Sequence, residues 1–254
     1  MNIAGLPIGP DQPVRVVAEL SNNHNGDIQL AMDWLEAVKE TGADIVKFQC
    51  YQPDELVLLR GDGPAPEPWG SDGWTMRHLY EKAQTPLEWF PLLTGYCKGL
   101  DLPWFSSVFG THSLDVLEWE DCPTYKLAAL DHGKDELLAA VRATGKPLVR
   151  SCADLSPPNC DDTWLLCPPG YPQAPVPLGD MFEYVYHGLR DYDGFSYHGT
   201  DPTVPLMAAT LGASVIECHV QLDEVPSELE ANVSLTVSQL ADLVASIRRM
   251  EEWR

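Results

Sequence analysis

The stretch VIECHV at residues 215–220 sets a carboxylate, Glu217, and an imidazole, His219, two residues apart in an otherwise apolar run. On a β-strand, residues at that spacing project from one face. The same habit recurs in five other short runs: Glu19 in VRVVAEL, Lys47 with Gln49 in DIVKFQC, Ser107 in PWFSSVF, Lys126 in TYKLA, and Ser196 with His198 in GFSYH. Charged groups buried on several strands cost too much in desolvation to persist without partners or a ligand. They therefore read as a site.

Two kinds of chemistry suit these residue types. For Glu19 and Lys47 the plainer reading is a buried ion pair between adjacent strands; the functional one is a polar active site. For His198 and His219, a hydrogen-bonded pair of core histidines competes with a two-imidazole site for a divalent ion. Such an ion, with positions left open for water and substrate, acts as a Lewis acid on a carbonyl. Glu217 would then be a partner of the ligand His219 or a general base. His24, in the turn-forming NNHNG, fits a helix-entry role, and His78, His112, His132 and His187 fall in helices or outer loops and receive no role.

The elements that must position these residues are legible as a rhythm. Strand candidates at 14–20, 44–50, 103–109, 124–128, 146–152, 163–167, 194–198 and 214–220 alternate with amphipathic segments at 27–41, 86–98, 112–120, 135–144, 204–211 and 237–252. Glycine follows most of these helices, as a left-handed C-cap requires. Eight strands alternating with helices predict a closed parallel TIM (β/α)8 barrel, an α/β fold whose inward residues at the strand C-termini face the mouth. Three connections break the rhythm. The Pro- and Gly-rich stretches 51–74 and 167–180 read as loops over the mouth, whereas the short 151–164 connection predicts a helix that is missing or reduced to one turn.

At 254 residues the chain has room for one such barrel and no second domain of ordinary size. A formal charge of −22 repels duplex nucleic acid. A small anion remains accessible to lysines inside a cleft, because surface charge is screened over about 8 Å at physiological salt. The 7 cysteines, scattered and without a CxxC pair, read as buried thiols in a reducing compartment. The N-terminus has no signal-peptide pattern and no long apolar run follows, so a cytoplasmic protein without a membrane partner is expected.

A resemblance sharpens this reading. VAELSNNHNGDIQLAMDWLEAVKETGADIVKFQ (17–49) resembles the opening of the sialic acid synthase (N-acetylneuraminate synthase) family, whose pattern runs A-E-I-G-x-N-H-N-G, a helix, G-A-D, then K-x-Q. Further matches follow in order: SSVF (106–109), YKLAALD (125–131), TGKPLVRS (144–151), YP (171–172), FSYHGT (195–200) and LGASVIECHV (211–220). The resemblance implies a TIM barrel that condenses phosphoenolpyruvate with an aldehyde sugar, giving a nine-carbon 2-keto acid and releasing phosphate by C–O cleavage. It implies a divalent metal, Mn2+ or Mg2+, on His198 and His219. Lys47, Lys126, Ser107 and Ser196 would contact the phosphate or carboxylate, Gln49 completes the K-x-Q motif, and Glu19 would lie near the reacting carbons.

Departures from the family pattern accompany the matches. Its phosphate-binding Ser is Ala129, its phosphate-binding Asn is Pro169, the Asp of Y-S-D-H is Tyr197, and the Lys of E-K-H is Cys218. Glu230 stands where the sugar-binding Asp is expected. Family synthases also carry a C-terminal antifreeze-like domain that lends an Arg to the partner subunit's active site, and this chain is expected to be the barrel alone. A homodimer, or a separate protein supplying the lid, is the partner expected. Two other readings stay open: a repurposed barrel acting as another metal-dependent aldolase, lyase or isomerase on a sugar or 2-oxo acid, and a catalytically inactive binding module.

Overall fold

The computed structural model describes residues 1–129, 135–154, 161–171 and 176–253. A two-stranded hairpin, β1 (Asn2–Ile3) and β2 (Leu6–Pro7), comes first. The strands that follow are β3 (Arg15–Glu19), β4 (Ile45–Cys50), β5 (Trp104–Val108), β6 (Tyr125–Leu127), β7 (Leu148–Cys152), β8 (Thr163–Leu166), β9 (Gly194–Tyr197) and β10 (Val215–Gln221). Among the described residues these eight run parallel in chain order, and β10 pairs with both β9 and β3, which closes the barrel. A short strand, β11 (Ser234–Thr236), extends β10 beyond the closure, with His219 opposite Ser234.

Around the barrel lie α1 (Ile28–Thr41), α2 (Pro53–Arg60), α3 (Met76–Ala83), α4 (Phe90–Gly99), α5 (Thr111–Trp119), α6 (Asp135–Ala143), α7 (Leu178–Gly188), α8 (Thr203–Thr210) and α9 (Val237–Glu251). Helix α1 shows why the local sequence works. Asp27 caps its first turn by accepting from Gln29 N at 2.8 Å, and Ala31, Trp34, Leu35 and Val38 form the buried stripe at helical spacing. It ends at Gly42, whose φ of 78° is the left-handed conformation a side chain disfavours. The apolar stripe of α9, Leu240, Leu243, Val244 and Ile247, packs beside it, and its first turn is fixed by a capping box between Thr236 and Gln239.

The stretch 51–74 is not loop throughout, because α2 occupies its first half. Pro53 opens the helix, Gln52 caps it, and Glu55 reaches back to the Gln52 N–H at 2.9 Å. The apolar face is slight, with Leu56 its buried residue, so helical periodicity gave little signal. Helices α3 and α7 are likewise present where no helix was expected. Gly99 is the last residue of α4 rather than its cap, and Asp101 takes the left-handed conformation with φ 50°. The expected missing or single-turn helix after β7 falls on 155–160, which lies outside the described residues, as do Leu130, Asp131, His132, Cys160 and Pro172.

Strict alternation along the strands sorts the interior into layers. Outward residues such as Val16, Val46, Phe48, Ile216 and Cys218 pack against the helices. At the N-terminal end the inward residues Val17, Ile45, Phe105, Val149, Leu165 and Val215 meet Ile3 and Ile8, so the hairpin plugs that end of the barrel. Gly194 belongs to this layer because a Cβ there would lie 2.5 Å from Val215 O and 2.8 Å from a Leu165 methyl. Polar residues are thereby confined to the opposite end. Truncating the plug by Ile3→Ala is expected to cost about 2–5 kcal/mol, read from urea unfolding, because the hairpin ring cannot collapse onto the space left. A loss below the measurement error would show that the hairpin does not seal the barrel.

Candidate active site

One layer above the apolar plug, the inward positions are Glu19 on β3, Lys47 on β4, Ser107 on β5, Lys126 on β6, Ser151 on β7, Ser196 on β9 and Glu217 on β10, all buried. Their heights agree because strand register sets them: Glu217 sits opposite Ser196, Glu19 opposite Lys47, and Ser107 opposite Lys126. Glu217 is the centre of the layer. Its Oε1 accepts from Lys47 Nζ at 2.9 Å, from Ser196 Oγ at 2.8 Å and from Lys126 Nζ. Its Oε2 is buried with no hydrogen-bond partner among the described residues.

The two lysines differ in their company. Burial disfavours the charge of both. Lys47 lies between Glu217 and Glu19, whose Oε2 is 2.8 Å away, and is held well above the ordinary lysine range. Lys126 is also lowered by burial, and the attraction of Glu217 does not outweigh this with Lys47 so near, so its affinity for a proton falls below normal. For Glu217, burial is overcome by Lys126 and Lys47 together, which keeps the carboxylate ionised.

The next level upward holds the imidazoles. The ring centroids of His198 and His219 are 5.0 Å apart, and Tyr171 stands over both at 5.1 and 5.7 Å. Burial and the neighbouring His219 keep His198 neutral. His219 is also penalised by burial, but carboxylates on two sides outweigh it: Nε2 is 3.2 Å from Glu19 Oε2 and Nδ1 is 3.3 Å from Glu230 Oε2. It is therefore more basic than an ordinary histidine. Lys47, Lys126 and His219 thus face three carboxylates, Glu19, Glu217 and Glu230.

Loops after β3 and β10 build the wall beyond. Glu230 Oε1 accepts from Ser21 Oγ at 3.0 Å and from the Tyr171 hydroxyl, while its own N–H donates to Ser227 Oγ at 3.0 Å. Gln49 Nε2 joins this wall to the floor by donating to Glu19 Oε1 at 2.7 Å and Ser21 Oγ at 3.0 Å. His24 is outside the chemistry. Its Nδ1 accepts from Gly26 N at 3.0 Å, its Nε2 meets Thr85 Oγ1 at 3.3 Å, and burial lowers its pKa to about 4, so it ties the loop into α1.

The residues singled out from the sequence therefore converge on one cluster. Ser196 spends its proton on Glu217, and Ser107 lies between Gln49 and Lys126 in register. Sequence reasoning passed over Ser151, although it stands two residues beyond inward Val149, and Ser21, Cys167 and Tyr171, which lie past strand ends where alternation gives no guide. The described cysteines are free and buried.

Two imidazoles with ring centroids 5.0 Å apart suit a divalent ion that completes its shell with water and substrate oxygens. Among the described residues, no group of three or more His, Cys, Asp or Glu side chains is arranged to cage a metal. The fit is nevertheless chemically sound, since neutral His198 offers a lone pair and a cation entering beside Glu19 and Glu230 would replace the His219 proton. Among the described residues no helix is long and apolar enough to cross a membrane.

Comparison with known proteins places this site in a family. Residues 34–156 and 160–254 match the NeuB family model. The chain is 34% identical over 264 residues to pseudaminic acid synthase from Helicobacter pylori, covering 94% of this chain and 74% of that protein. It is 27% identical over 265 residues to human N-acetylneuraminate-9-phosphate synthase, covering 97% of this chain and 73% of that one. The fold superposes on the crystal structure of N-acetylneuraminic acid synthetase from Leptospira borgpetersenii with a TM-score of 0.81 at 21% identity, over 100% of this chain and 89% of the other. The barrel, with its polar layer between apolar plug and paired histidines, belongs to the NeuB family.

Proposed function

We propose that the protein condenses phosphoenolpyruvate with an aldehyde sugar to give a 2-keto acid and inorganic phosphate. The observation that carries this reading is the pair Lys47 and Lys126 held on one carboxylate oxygen directly below the two histidines. His198 and His219 would hold Mn2+ or Mg2+. When bound, that ion supplies Lewis-acid polarisation of the aldehyde carbonyl.

The chain's own groups do the rest. An entering carboxylate or phosphate competes with Glu217 for the ammonium groups of Lys47 and Lys126, and Ser107 and Ser196 offer hydroxyls at the same level. Glu19, hydrogen-bonded by Gln49 and Lys47, would take a proton from the water that adds to C2 of the enol ester. The new C–C bond forms at C3 as the π bond of the aldehyde carbonyl breaks, that water adds at C2, and phosphate departs with the C2–O bond, so that the two protons of the water end on the new hydroxyl and on the phosphate. Glu230, on the mouth side of His219, would accept hydrogen bonds from sugar hydroxyls. Ala129 and Pro169 favour a second reading, another metal-dependent aldolase, lyase or isomerase on a 2-oxo acid, because neither side chain can bind phosphate.

Calorimetric titration of phosphoenolpyruvate into manganese-loaded protein separates the two, followed by phosphate release against a panel of aldehyde sugars. Binding is expected to weaken about 10- to 150-fold in Lys126→Ala, the equivalent of one charge-assisted contact of about 1.5–3 kcal/mol. Manganese uptake without any phosphoenolpyruvate binding would discard the synthase reading in favour of the second.

The lysine floor also makes a stability prediction. Glu217→Gln leaves two buried ammonium groups without their shared countercharge, so it is expected to lower stability by about 3–5 kcal/mol. Adding Lys126→Met to that variant should restore part of the loss. Urea midpoints of the wild type and the two variants check this, and equal midpoints for the single variant and the wild type would contradict the central role given to Glu217.

A further inference from the structure

Two primary amines held on one carboxylate have a chemistry beyond binding an anion. Lys47 and Lys126 both donate to Oε1 of Glu217, so their Nζ atoms are neighbours in a buried layer. Lys47 has a second carboxylate, Glu19, at 2.8 Å, whereas among the described residues the ion-pair partner of Lys126 is Glu217. Desolvation and a neighbouring cation are the two conditions that make a lysine amine nucleophilic at neutral pH, and Lys126 meets both.

The charged groups that face Lys126 come from several strands: Glu217 on β10, Lys47 on β4 and Glu19 on β3. Cys167 after β8 and His198 after β9 also feel its charge. Against this company burial weakens the hold of Lys126 on its proton. The pairing on one oxygen also selects a ligand. Two amines that reach the same atom can reach two adjacent carbons of a small molecule, one carrying a carboxylate and the next a carbonyl. That is the head of a 2-oxo acid. Ala129 and Pro169, whose side chains cannot bind phosphate, do not count against a ligand that has none.

We propose that Lys126 is the nucleophile of a covalent step: its amine condenses with the C2 carbonyl of a small 2-oxo acid to a Schiff base, while Lys47 binds the acid's carboxylate. The C2–O double bond gives way to a C2–N double bond, and the oxygen leaves as water. An ammonium and a ketone yield an iminium and one water, so no net proton is taken up and the positive charge stays on Nζ beside Glu217 Oε1. The iminium withdraws electrons from C3, the activation that aldol addition or cleavage there needs, and supplies it without a metal ion. This step is independent of the synthase reading and uses no phosphate.

Incubation of the metal-free protein with pyruvate, reduction with sodium borohydride and peptide mapping by mass spectrometry read the step directly. The expected product carries one added group, equal in mass to pyruvate less one oxygen, on Lys126. The same treatment should leave urea-unfolded protein and Lys126→Arg unmodified. Methyl pyruvate, the same carbonyl with its charge masked, should need about 10- to 150-fold more ligand for half-maximal trapping, as the loss of one charge-assisted contact requires. The wild type alone can overturn the proposal, with no variant having to fold. No adduct at about 10 mM pyruvate, above the usual KM range, does so. So does an adduct on Lys47 or scattered over surface lysines, or equal trapping by the ester. Trapping on Lys126 that phosphoenolpyruvate suppresses upholds the covalent step and places both ligands on one floor. Trapping on Lys126 that phosphoenolpyruvate fails to suppress upholds the covalent step and counts against the synthase reading.

Discussion

Everything polar inside this barrel is arranged around one oxygen atom. Glu217 Oε1 gathers Lys47 from β4, Lys126 from β6 and Ser196 from β9, so one carboxylate ties together strands from opposite sides of the closed sheet. Such an arrangement persists only because water is excluded below it by the hairpin plug and around it by the sheet. Its cost is offset internally, since Glu19 and Glu230 balance the remaining cations. Oε2 of the same carboxylate has no hydrogen-bond partner among the described residues, and a buried oxygen left without one costs about 1–3 kcal/mol.

That asymmetry gives the floor a functional character. Lys47 has two carboxylates, which hold its charge. Lys126 has one carboxylate and a cationic neighbour, so it gains most from an anion brought in from outside. An anionic ligand at this level therefore replaces a partial pairing with a fuller one, and the lysine that benefits is the one whose charge is least supported in its absence. The histidine level above is coupled to the floor through Glu19, which contacts both Lys47 and His219.

Much of this was legible in the sequence because two periods coincide with two physical requirements. Alternation by two put Glu217 and His219, Lys47 and Gln49, and Ser196 and His198 on common faces, and closure of eight parallel strands converts a common face into a common interior. Glycine caps at 42, 145 and 212 marked helix ends where a left-handed residue is needed. What escaped notice lacks a period. Helix α2 is held by a capping box and by Glu55 bonded to Ser113 N at 3.1 Å, not by a broad apolar face. The hairpin is two residues per strand, too short for alternation to register. Tyr171, Ser21 and Cys167 lie past strand ends, where position is decided by loops and by tertiary hydrogen bonds that no single segment encodes.

The departures from the family pattern acquire meaning from the same geometry. Tyr197 and Cys218 stand at outward positions of β9 and β10 and are buried against the helices, so exchanging an Asp and a Lys for them removes charge from the packing layer and not from the inner floor. Ala129 and Pro169 differ in kind, since they follow β6 and β8 at the mouth, where the family resemblance implies phosphate-binding side chains. Without those two donors, an anion entering at this level would meet Lys47, Lys126 and the hydroxyls beside them. On a chain of net charge −22, whose screened surface field gives an anion no help in approaching, contact with that floor would have to supply the attraction. The wall that Glu230, Tyr171 and Ser21 build stands apart from that floor, because those groups are tied to each other instead of to the lysines.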